Sequence, residues 1–418
     1  MNASDQFCPN SACSARGQRG AGTISIHGRK RPRYRCQICK KTFSARKGTF
    51  FEGLRTEEEK VTIVVTLLSY GCPRQAIVHA YGLDERTVAA WQQRAGKQCQ
   101  QVHSTLVEAG QIKSQHLQAD EIRAKGRKLI VWMALAMEVT TRLWLAGTVS
   151  QHRDHHLIDR LFQRVGACCH FIEGLLVCTD GFAAYPKSIE RAFREKVKRT
   201  AGRGRCALQV WPDLCIATII KHTRKKRVVA ITRKVVRGAQ EKAKELVSKT
   251  NGGTTFNTAF IERLNGTFRE RLACLTRKCR HAAARVETLE MGMYLIGCTY
   301  NFCMPHQELS KKAHFGCPTT PAMAAALTDH IWSLRELLCY KVAPAPWIPP
   351  IPAQAKRPRG RPRKAVDVGQ TSKRPRGRPR KPVQGEQIQP KRRPRGRPPK
   401  YILAEVLVAA RTAGPCTS

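Results

Sequence analysis

Two acidic residues stand where a strand can present a carboxylate to a metal ion. Asp120 lies within HLQADEI, which has the composition of a strand, and Asp180 ends the apolar run LLVCTD just before Gly181. An acid at the carboxyl end of a strand, with glycine freeing the next turn, is a typical place for a metal ligand. Glu121 is the alternative ligand on the first of these segments because it adjoins Asp120.

A third acid, Glu262, lies on a predicted helix over 258–272 with the sequence TAFIERLNGTFRERL. Asn265 and Arg269 follow it at three and seven residues, so the three side chains share one face of that helix. An acid and an arginine on one face suit a site that binds metal and phosphate together. Glu270 on the same helix is the alternative to Glu262.

The segments around these acids predict the elements that must position them. Leu129–Met137 and Arg142–Val149 have the pattern of two strands joined by a turn, and with the Asp120 segment they suggest an antiparallel meander. A predicted helix over Arg153–Val165 precedes the Asp180 strand. Basic residues follow in Arg194–Arg205 and in HTRKKR (His222–Arg227), and they form either a DNA track beside the site or a solvated positive face.

Four cysteines near the amino terminus have the spacing of a zinc site. Cys8 and Cys13 form a C-x4-C pair and Cys36 and Cys39 form a C-x2-C pair, with a predicted β-hairpin between the pairs. Two such knuckles can present four thiolates tetrahedrally to Zn²⁺. Metal binding would then supply the folding energy of residues 1–50, which are too few for an ordinary core. The alternative is four unlinked structural thiols.

Residues 56–96 predict a helix-turn-helix DNA-binding unit. Thr56 and the acids after it suit the start of a first helix, and GCP then separates it from a second. Asp84 caps a third helix, predicted to run as far as Arg94. The exposed face of that helix would carry Arg86 and Arg94 toward DNA. An ordinary three-helix packing unit is the alternative.

Three near-copies of one basic nonapeptide lie at 356–364, 373–381 and 392–400. Each contains Pro-Arg-Gly-Arg-Pro, in which glycine permits close approach and proline keeps the backbone extended, so the arginines form a thin cationic strip. The pattern resembles the AT-hook of high-mobility-group A proteins and implies insertion into the narrow minor groove of A·T-rich DNA. The arginines of the three cores are Arg359, Arg361, Arg376, Arg378, Arg395 and Arg397.

The hooks follow a proline-rich linker over 343–352, which is expected to be stiff and extended. Residues 353–400 contain too few apolar side chains for a core, so this basic tail is expected to be disordered when free. A solvated basic tail without DNA contact is the alternative. We assign no role to the C-terminal residues 401–418.

Composition points to a polyanionic partner. The 418 residues carry a formal net charge of +45, and nucleic acid is the first candidate partner of such a chain. The first 15 residues lack the apolar run of a secretory signal, and no stretch of about 18 apolar residues predicts a membrane span. Most of the 18 cysteines lie in apolar segments, which favours a reducing cytosol, so we expect a cytoplasmic, nucleoid-associated protein.

These motifs together resemble the DDE transposases of bacterial insertion sequences. The order and context of Asp120, Asp180 and Glu262 are similar to the catalytic acids of that family, and IERLNGTFRERL is similar to its third motif. YNFCMPHQEL and TPAMAA resemble the segment that commonly follows, and a zinc ribbon and helix-turn-helix ahead of the acids resemble the family of insertion sequence one. The resemblance covers roughly 1–342, and three AT-hooks depart from that family's usual pattern.

The resemblance implies an α/β catalytic domain of RNase H-like fold over 112–300, with a mixed sheet flanked by helices, and then a helical extension over 301–342. It implies DNA cleavage and strand transfer with two Mg²⁺ (or Mn²⁺) ions about 4 Å apart. Asp120 would bridge the ions, with Asp180 and Glu262 each on one of them.

The implied partner is double-stranded DNA, both at the ends of the element and at its target. Because transposition joins two ends, a homo-oligomer on DNA is expected. Two alternatives remain: a catalytically inactive DNA-binding regulator derived from a transposase, and a nuclease with an RNase H-like fold.

Overall fold

A six-stranded mixed sheet organises the structure, a computed structural model that describes residues 2–28, 33–109, 112–125, 130–170, 174–198, 206–225, 227–276 and 285–348. These residues belong to one unit, Met1–Pro350. The hooks and the C-terminal residues 401–418 lie outside the described residues. Among the described residues, no helix is both long and apolar enough to cross a membrane.

The strands and helices of the described residues run in the following order along the chain. The strands are β1 (Ile24–Gly28), β2 (Arg33–Cys36), β3 (Thr42–Ser44), β4 (Ile112–Lys113), β5 (His116–Lys125), β6 (Ile130–Glu138), β7 (Trp144–Ser150), β8 (Cys169–His170), β9 (Leu175–Asp180), β10 (Arg194–Val197), β11 (Ala207–Val210), β12 (Leu214–Arg224) and β13 (Arg227–Arg237). The helices are α1 (Glu58–Ser69), α2 (Arg74–Tyr81), α3 (Glu85–Leu106), α4 (His155–Cys168), α5 (Ala184–Ala192), α6 (Gln240–Lys249), α7 (Ala259–Arg271), α8 (Val286–Cys298), α9 (Gln307–Lys312), α10 (Pro321–Ala324) and α11 (Leu334–Cys339).

The large sheet has the strand order β13-β12-β9-β5-β6-β7. Strands β5, β6 and β7 form the antiparallel meander that the sequence predicts. On the other side of β5, strands β9 and β12 run parallel to it, and β13 closes the edge antiparallel to β12. This mixed sheet with flanking helices confirms the predicted α/β fold class of RNase H-like type.

The helices cover both faces of the sheet because several of its strands are apolar on both sides, as in β6 and the edge strand β7, which are buried along nearly their whole length. Adjacent residues of a strand point to opposite faces. Asp120 on β5 contacts α7, whereas Glu121 contacts α5, so these two helices lie on opposite faces. Helix α4 packs beside α5, and α6 packs on β9 and β12.

The three predicted helices of the helix-turn-helix segment are present, with two differences. Helix α1 begins at Glu58 with Glu57 at its N-cap and no side-chain cap, so Thr56 does not cap it as predicted. Asp84 caps α3 as predicted, accepting the backbone N–H groups of Arg86 and Thr87. Helix α3 then continues past its predicted end at Arg94 to Leu106, because an apolar stripe that includes Ala95, Cys99 and Val102 is buried.

The amino-terminal segment forms a three-stranded sheet in the order β1-β2-β3. Its first two strands pair antiparallel as the predicted hairpin requires, with residues 29–32 between them outside the described residues, and the sequence does not predict β3. At the other end of the unit, Asn301 docks the segment after α8 onto β7: its Oδ1 accepts the N–H of Trp144 and its Nδ2 donates to the carbonyl of the same residue, both at 2.9 Å.

Candidate active site and cysteine metal centre

The first two predicted acids lie side by side because β5 and β9 are parallel neighbours. Ala119 is opposite Thr179 in the strand register, so the next residues, Asp120 and Asp180, meet where β9 ends. Oδ1 of Asp180 accepts the N–H of Phe182 at 3.0 Å, which holds its carboxylate at the start of the following turn. The structure therefore brings these two predicted residues together.

The third predicted acid is placed by a glutamine on β5. Oε1 of Gln118 accepts the backbone N–H groups of Phe260 at 3.1 Å and Ile261 at 3.0 Å, so a strand side chain satisfies two N–H groups at the start of α7. Gln118 and Asp120 lie two residues apart and share a face of β5. The same strand face therefore carries one acid and anchors the helix that carries Glu262.

Asp120 is held from two directions. Nδ2 of Asn265 on α7 donates to its Oδ2 at 2.8 Å, and the N–H of Glu121 donates to its Oδ1 at 2.9 Å. Burial raises the pKa of Asp120 to about 7, and the nearby charges of Glu121 and Asp180 add to this rise. A buried carboxylate whose pKa is raised in this way is typical of a position that binds a metal cation.

Glu121, the alternative ligand, is a buried partner on the opposite face of β5, only 8% exposed. Its Oε2 accepts the hydroxyl of Tyr185 at 2.6 Å, and its Oε1 pairs with the guanidinium of Arg153. Arg153 also reaches Oδ2 of Asp180 at 3.3 Å. Burial raises the pKa of Glu121, and the charge of Asp180 raises it further. One carboxylate oxygen from each of Asp120, Glu121 and Asp180 lies within 4.8 Å of the other two.

Glu262 lines the same pocket, of about 720 Å³, as Asp120 and Asp180. Its Oε1 accepts the hydroxyl of Thr258 at 2.6 Å and pairs with the ammonium of Lys221. Burial opposes ionisation of Glu262, but these two donors outweigh it and lower its pKa. Among the described residues, the acidic group whose oxygens approach within 4.8 Å includes Glu121 and not Glu262.

Cationic side chains complete the pocket. Arg153, Lys221 and Arg269 all line it, the last from the predicted face of α7. The guanidinium of Arg153 lies 4.2 Å from the ring centre of Phe182, a cation–π contact that fixes its direction. Three cationic side chains and three carboxylates therefore line one pocket. This arrangement suits a site that binds a phosphodiester, because the cations can offset the negative charge that the phosphate adds.

The pocket fits a hard divalent cation. Its potential ligands are carboxylate oxygens, and one oxygen from each of Asp120, Glu121 and Asp180 lies within 4.8 Å of the other two. Mg²⁺ and Mn²⁺ prefer such oxygen ligands and keep several waters, for which an open pocket leaves room. The acids that would hold the ion are Asp120 and Asp180, with Glu262 or Glu121 as the third.

The four predicted cysteines converge into a second centre of different chemistry. The sulfurs of Cys8 and Cys39 are 3.6 Å apart, those of Cys13 and Cys36 are 3.8 Å apart, and all four lie within 4.8 Å of one another. Four sulfurs at about 2.3 Å around one Zn²⁺ would be separated by about 3.8 Å. The cluster therefore has the donor set and the approximate spacing of a tetrahedral zinc site.

Ionisation within the cluster is uneven. Burial raises the pKa of Cys8 and of Cys13. Burial also opposes ionisation of Cys39, but hydrogen bonds from the Lys41 backbone N–H and the Asn10 side chain outweigh it and lower its pKa to about 6. One thiolate is thus favoured before metal arrives, and zinc binding would release protons from the others.

The predicted DNA-contacting residues have different surroundings. Arg86 is exposed in the first turn of α3. Arg94 is only partly exposed: its guanidinium donates to the carbonyl of Glu52 and lies 5.7 Å from the ring centre of Phe50. The free face that the sequence predicts for Arg94 is therefore partly used for internal packing. The six hook arginines lie outside the described residues.

Sequence reasoning missed five residues that shape the pocket: Gln118, Arg153, Tyr185, Lys221 and, as a partner of Asp120, Asn265. A signal existed for two of them. Gln118 lies two residues before Asp120 on a strand, and Asn265 was placed on the face of Glu262 by helical spacing. Arg153 and Tyr185 reach the site only through the tertiary packing of α4 and α5.

No protein-family model matches the chain, and no curated protein matches it. Two solved structures are similar to it at low identity. The first, the piggyBac transposase synaptic complex with hairpin DNA, shares 10% identity over 69% of this chain and 74% of that chain, with a TM-score of 0.29. The second, the simian T-cell lymphotropic virus intasome in complex with PP2A regulatory subunit B56 gamma, shares 12% identity over 70% of this chain and 80% of that chain, with a TM-score of 0.24. Because TM-scores below 0.5 do not establish a common fold, the fold of this chain rests on its own strand order and register.

Proposed function

We propose that the chain is a DNA transposase whose acidic pocket performs metal-dependent strand cleavage and strand transfer. The observation that carries the proposal is the convergence of Asp120, Asp180 and Glu262, from β5, β9 and α7, on one pocket that also contains Arg153 and Lys221. Carboxylates for metal and cations for phosphate in one open site are the requirements of an in-line phosphodiester displacement.

The chain's own residues would supply positioning and charge. Asp120 and Asp180 would hold divalent metal, with Glu262 completing the set and Glu121 as its alternative. When bound, the metal would activate the attacking oxygen and stabilise the leaving one. Asn265 fixes the direction of the Asp120 carboxylate. Lys221, at the rim beside Glu262, would offset the charge of the phosphate.

The other parts of the chain would bring DNA to this pocket. The cysteine cluster would hold zinc and keep residues 1–50 folded. Helix α3 would present Arg86 to the ends of the element. The three hooks would tether the enzyme to A·T-rich minor grooves, since a second hook binds at high effective concentration once the first has docked. A homo-oligomer would join two ends.

The test is a strand-transfer assay with the purified full-length chain, Mg²⁺ and labelled candidate terminal inverted repeats. We expect cleavage at the repeats and joining of the labelled 3′ ends to a target duplex. Asp180→Asn should lose both reactions, by at least about 10³-fold, because a metal ligand is removed from the transition state. Asp329→Asn, which removes an exposed carboxylate outside the pocket, is the matched control and should keep wild-type rates.

Other outcomes would overturn the proposal in distinct ways. If wild type and Asp180→Asn gave the same products, the assignment of the acidic pocket as the catalytic site would be wrong. Cleavage that ignores the repeats and never joins ends would indicate a nuclease. Specific end binding without any reaction in Mg²⁺ or Mn²⁺ would indicate a DNA-binding regulator.

A further inference from the structure

The last two strands of the large sheet extend past the body of the molecule as a two-stranded ribbon. Residues 214–219 of β12 are buried, whereas residues 220–225 and 227–234 are all exposed. The two strands stay paired along the exposed part, as far as Arg224 opposite Arg227. We call residues 220–225 and 227–234 the β12–β13 ribbon. A ribbon exposed on both faces adds little to the core, so its sequence reflects another role.

The charge of the ribbon has one sign. Its segment of sequence, 220–234, contains no Asp or Glu, and its Lys and Arg residues are Lys221, Arg224, Lys225, Lys226, Arg227, Arg233 and Lys234. The two residues paired at the tip, Arg224 and Arg227, form no ion pair with another described residue. This uncompensated charge would be costly beside another cationic surface and favourable beside a polyanion.

The base of the ribbon is a wall of the acidic pocket. Ile220 and Lys221 line the pocket, and Lys221 pairs directly with Glu262. From Ile220 to Arg224 the extended chain covers about 14 Å. The major groove of B-DNA is about 12 Å wide and admits a two-stranded β-ribbon. A duplex whose phosphate reached the pocket would therefore meet the ribbon next.

Apolar side chains between the cations favour a groove over a simple backbone contact. Val228 is 54% exposed, Val229 63% and Ile231 41%. In a major groove such side chains can contact thymine methyl groups while the cations reach phosphates on either side. A second copy pairing along β13 would be the competing occupant, because an exposed apolar edge strand invites strand addition. Antiparallel self-pairing along the exposed residues 227–234, however, would place Arg227 of one copy opposite Lys234 of the other, and opposed like charges are unfavourable.

We propose that the β12–β13 ribbon enters the major groove of the duplex that flanks the phosphate held at the acidic pocket. The proposal rests on the proposed function for its location, since that function brings DNA to the pocket. It goes further by assigning a groove-binding element that is separate from the helix-turn-helix and the hooks. The ribbon would set which part of the duplex faces the acids.

The first test measures duplex binding by the full-length chain without divalent metal, across a range of salt concentrations. Arg224→Gln combined with Arg227→Gln removes the two paired charges at the tip. The slope of log K against log salt is negative, and each lost phosphate contact reduces its magnitude by about 0.9. We therefore expect the magnitude of the slope to fall by about 1.8 in this variant. The control, Lys244→Gln combined with Lys312→Gln, removes two exposed charges from α6 and α9 and should keep the wild-type slope.

A wild-type slope in the tip variant, or an equal loss in the control, would overturn the proposal. Both variants alter exposed side chains, and equal thermal unfolding midpoints would verify that they fold alike. Because no reaction is required, a chain that binds through the tip but never cuts DNA would contradict the proposed function and leave the ribbon as a DNA contact. A chain that transfers strands normally with an unchanged slope would contradict only the ribbon.

The second test locates the contact. A photo-cross-linking residue introduced at Thr223 should cross-link to bases of a duplex that carries the cleavage site. Replacing thymine by uracil near that site should weaken wild-type binding, because it removes major-groove methyl groups. Cross-links between two protein chains in the absence of DNA would instead assign the ribbon to a second copy and overturn the proposal.

Discussion

The two candidate metal centres of this chain gather their ligands in opposite ways. The sulfurs of two cysteine pairs are already at the spacing expected around a tetrahedral zinc ion, and Cys8, Cys13 and Cys36 are at most 2% exposed. The acids of the pocket come from three elements that are far apart in the sequence. Two of these acids form ion pairs, Asp180 with Arg153 and Glu262 with Lys221. A closed soft-ligand shell suits a structural ion, whereas an open oxygen-lined pocket suits an ion that must also meet substrate.

This difference has an energetic consequence. Residues 1–50 contain a small apolar cluster around the cysteines, which includes Ile24, Tyr34 and Phe43. We expect so small a segment to depend on a bound zinc ion for folding. The acidic pocket, by contrast, lies on the large sheet, whose core persists without metal. We therefore expect metal loss to unfold the first centre and only to inactivate the second.

The largest expected effect is on the cysteine centre. Cys36→Ser, or removal of zinc with a chelator, should abolish the NMR dispersion of residues 2–28 and 33–45, because structural zinc supplies about 10–16 kcal/mol in comparable small modules. Resonances from the large sheet should stay dispersed. The matched control is Cys206→Ser, which changes an exposed cysteine outside the cluster and should leave the zinc content and the spectrum unchanged. A dispersed amino-terminal spectrum in the metal-free chain would contradict a structural zinc role.

The next largest effect separates the two glutamates of the pocket. If Glu262 is the third ligand, Glu262→Gln should lower the rate of strand cleavage by roughly 10²–10³-fold, since several kcal/mol of metal-dependent stabilisation are lost. Glu121→Gln should cost about tenfold or less, because it alters a buried contact to Tyr185 and Arg153 rather than a ligand.

Calorimetric titration with Mn²⁺ gives an independent readout of the same question. We expect Glu262→Gln to bind fewer Mn²⁺ ions than wild type, or to bind them more weakly. Glu121→Gln should bind the same number of Mn²⁺ ions as wild type. The reverse order, in both rate and binding, would assign Glu121 as the third ligand and leave Glu262 as a partner of Lys221.

The sequence predicts the positions that follow from local periodicity. Helical spacing explains why Asn265 and Glu262 share a face of α7. The cysteine spacing likewise anticipates the convergence of four sulfurs. The meeting of Asp120 and Asp180 depends instead on the register between β5 and β9, and only the family resemblance groups these two acids in advance.

The parts that the sequence does not predict depend on how elements pack. Gln118 holds the start of α7 across 142 residues of chain, and Arg153 reaches Glu121 from the segment before α4. The sequence underestimates the length of α3, because its second half is stabilised by contact with α8 and not by a local signal. The sequence shows Glu121 only as a neighbour of Asp120, since a strand pattern does not say which face a helix will cover.

A smaller effect should come from the contact that aligns Asp120. Asn265→Ala removes the donor to Oδ2 and should lower Mn²⁺ affinity by about 10- to 100-fold, the usual range for loss of a residue that orients a metal ligand. The matched control is Gly266→Ala on the same helix, where an added Cβ meets no atom within 4 Å. That change should leave metal affinity unchanged and stabilise α7 by up to about 1 kcal/mol. If Asn265→Ala bound Mn²⁺ as tightly as wild type, Asp120 would not need Asn265 to orient its carboxylate.

The smallest expected effect is the pH dependence of metal binding at the pocket. Burial raises the pKa of Asp120 to about 7, so below that pH the folded, metal-free pocket holds this acid protonated and metal must displace the proton. Mn²⁺ affinity should therefore be highest above pH 7 and fall about tenfold between pH 8 and pH 6, measured by calorimetry. Glu121→Gln removes a nearby negative charge that raises the pKa of Asp120, so its curve should move to lower pH. An affinity that is flat over this range would mean that Asp120 is already ionised or is not a ligand. The cysteine centre offers the contrasting case, because Cys8 and Cys13, whose pKa values are raised by burial, must both lose protons when zinc binds, so its affinity should decline more steeply over the same interval.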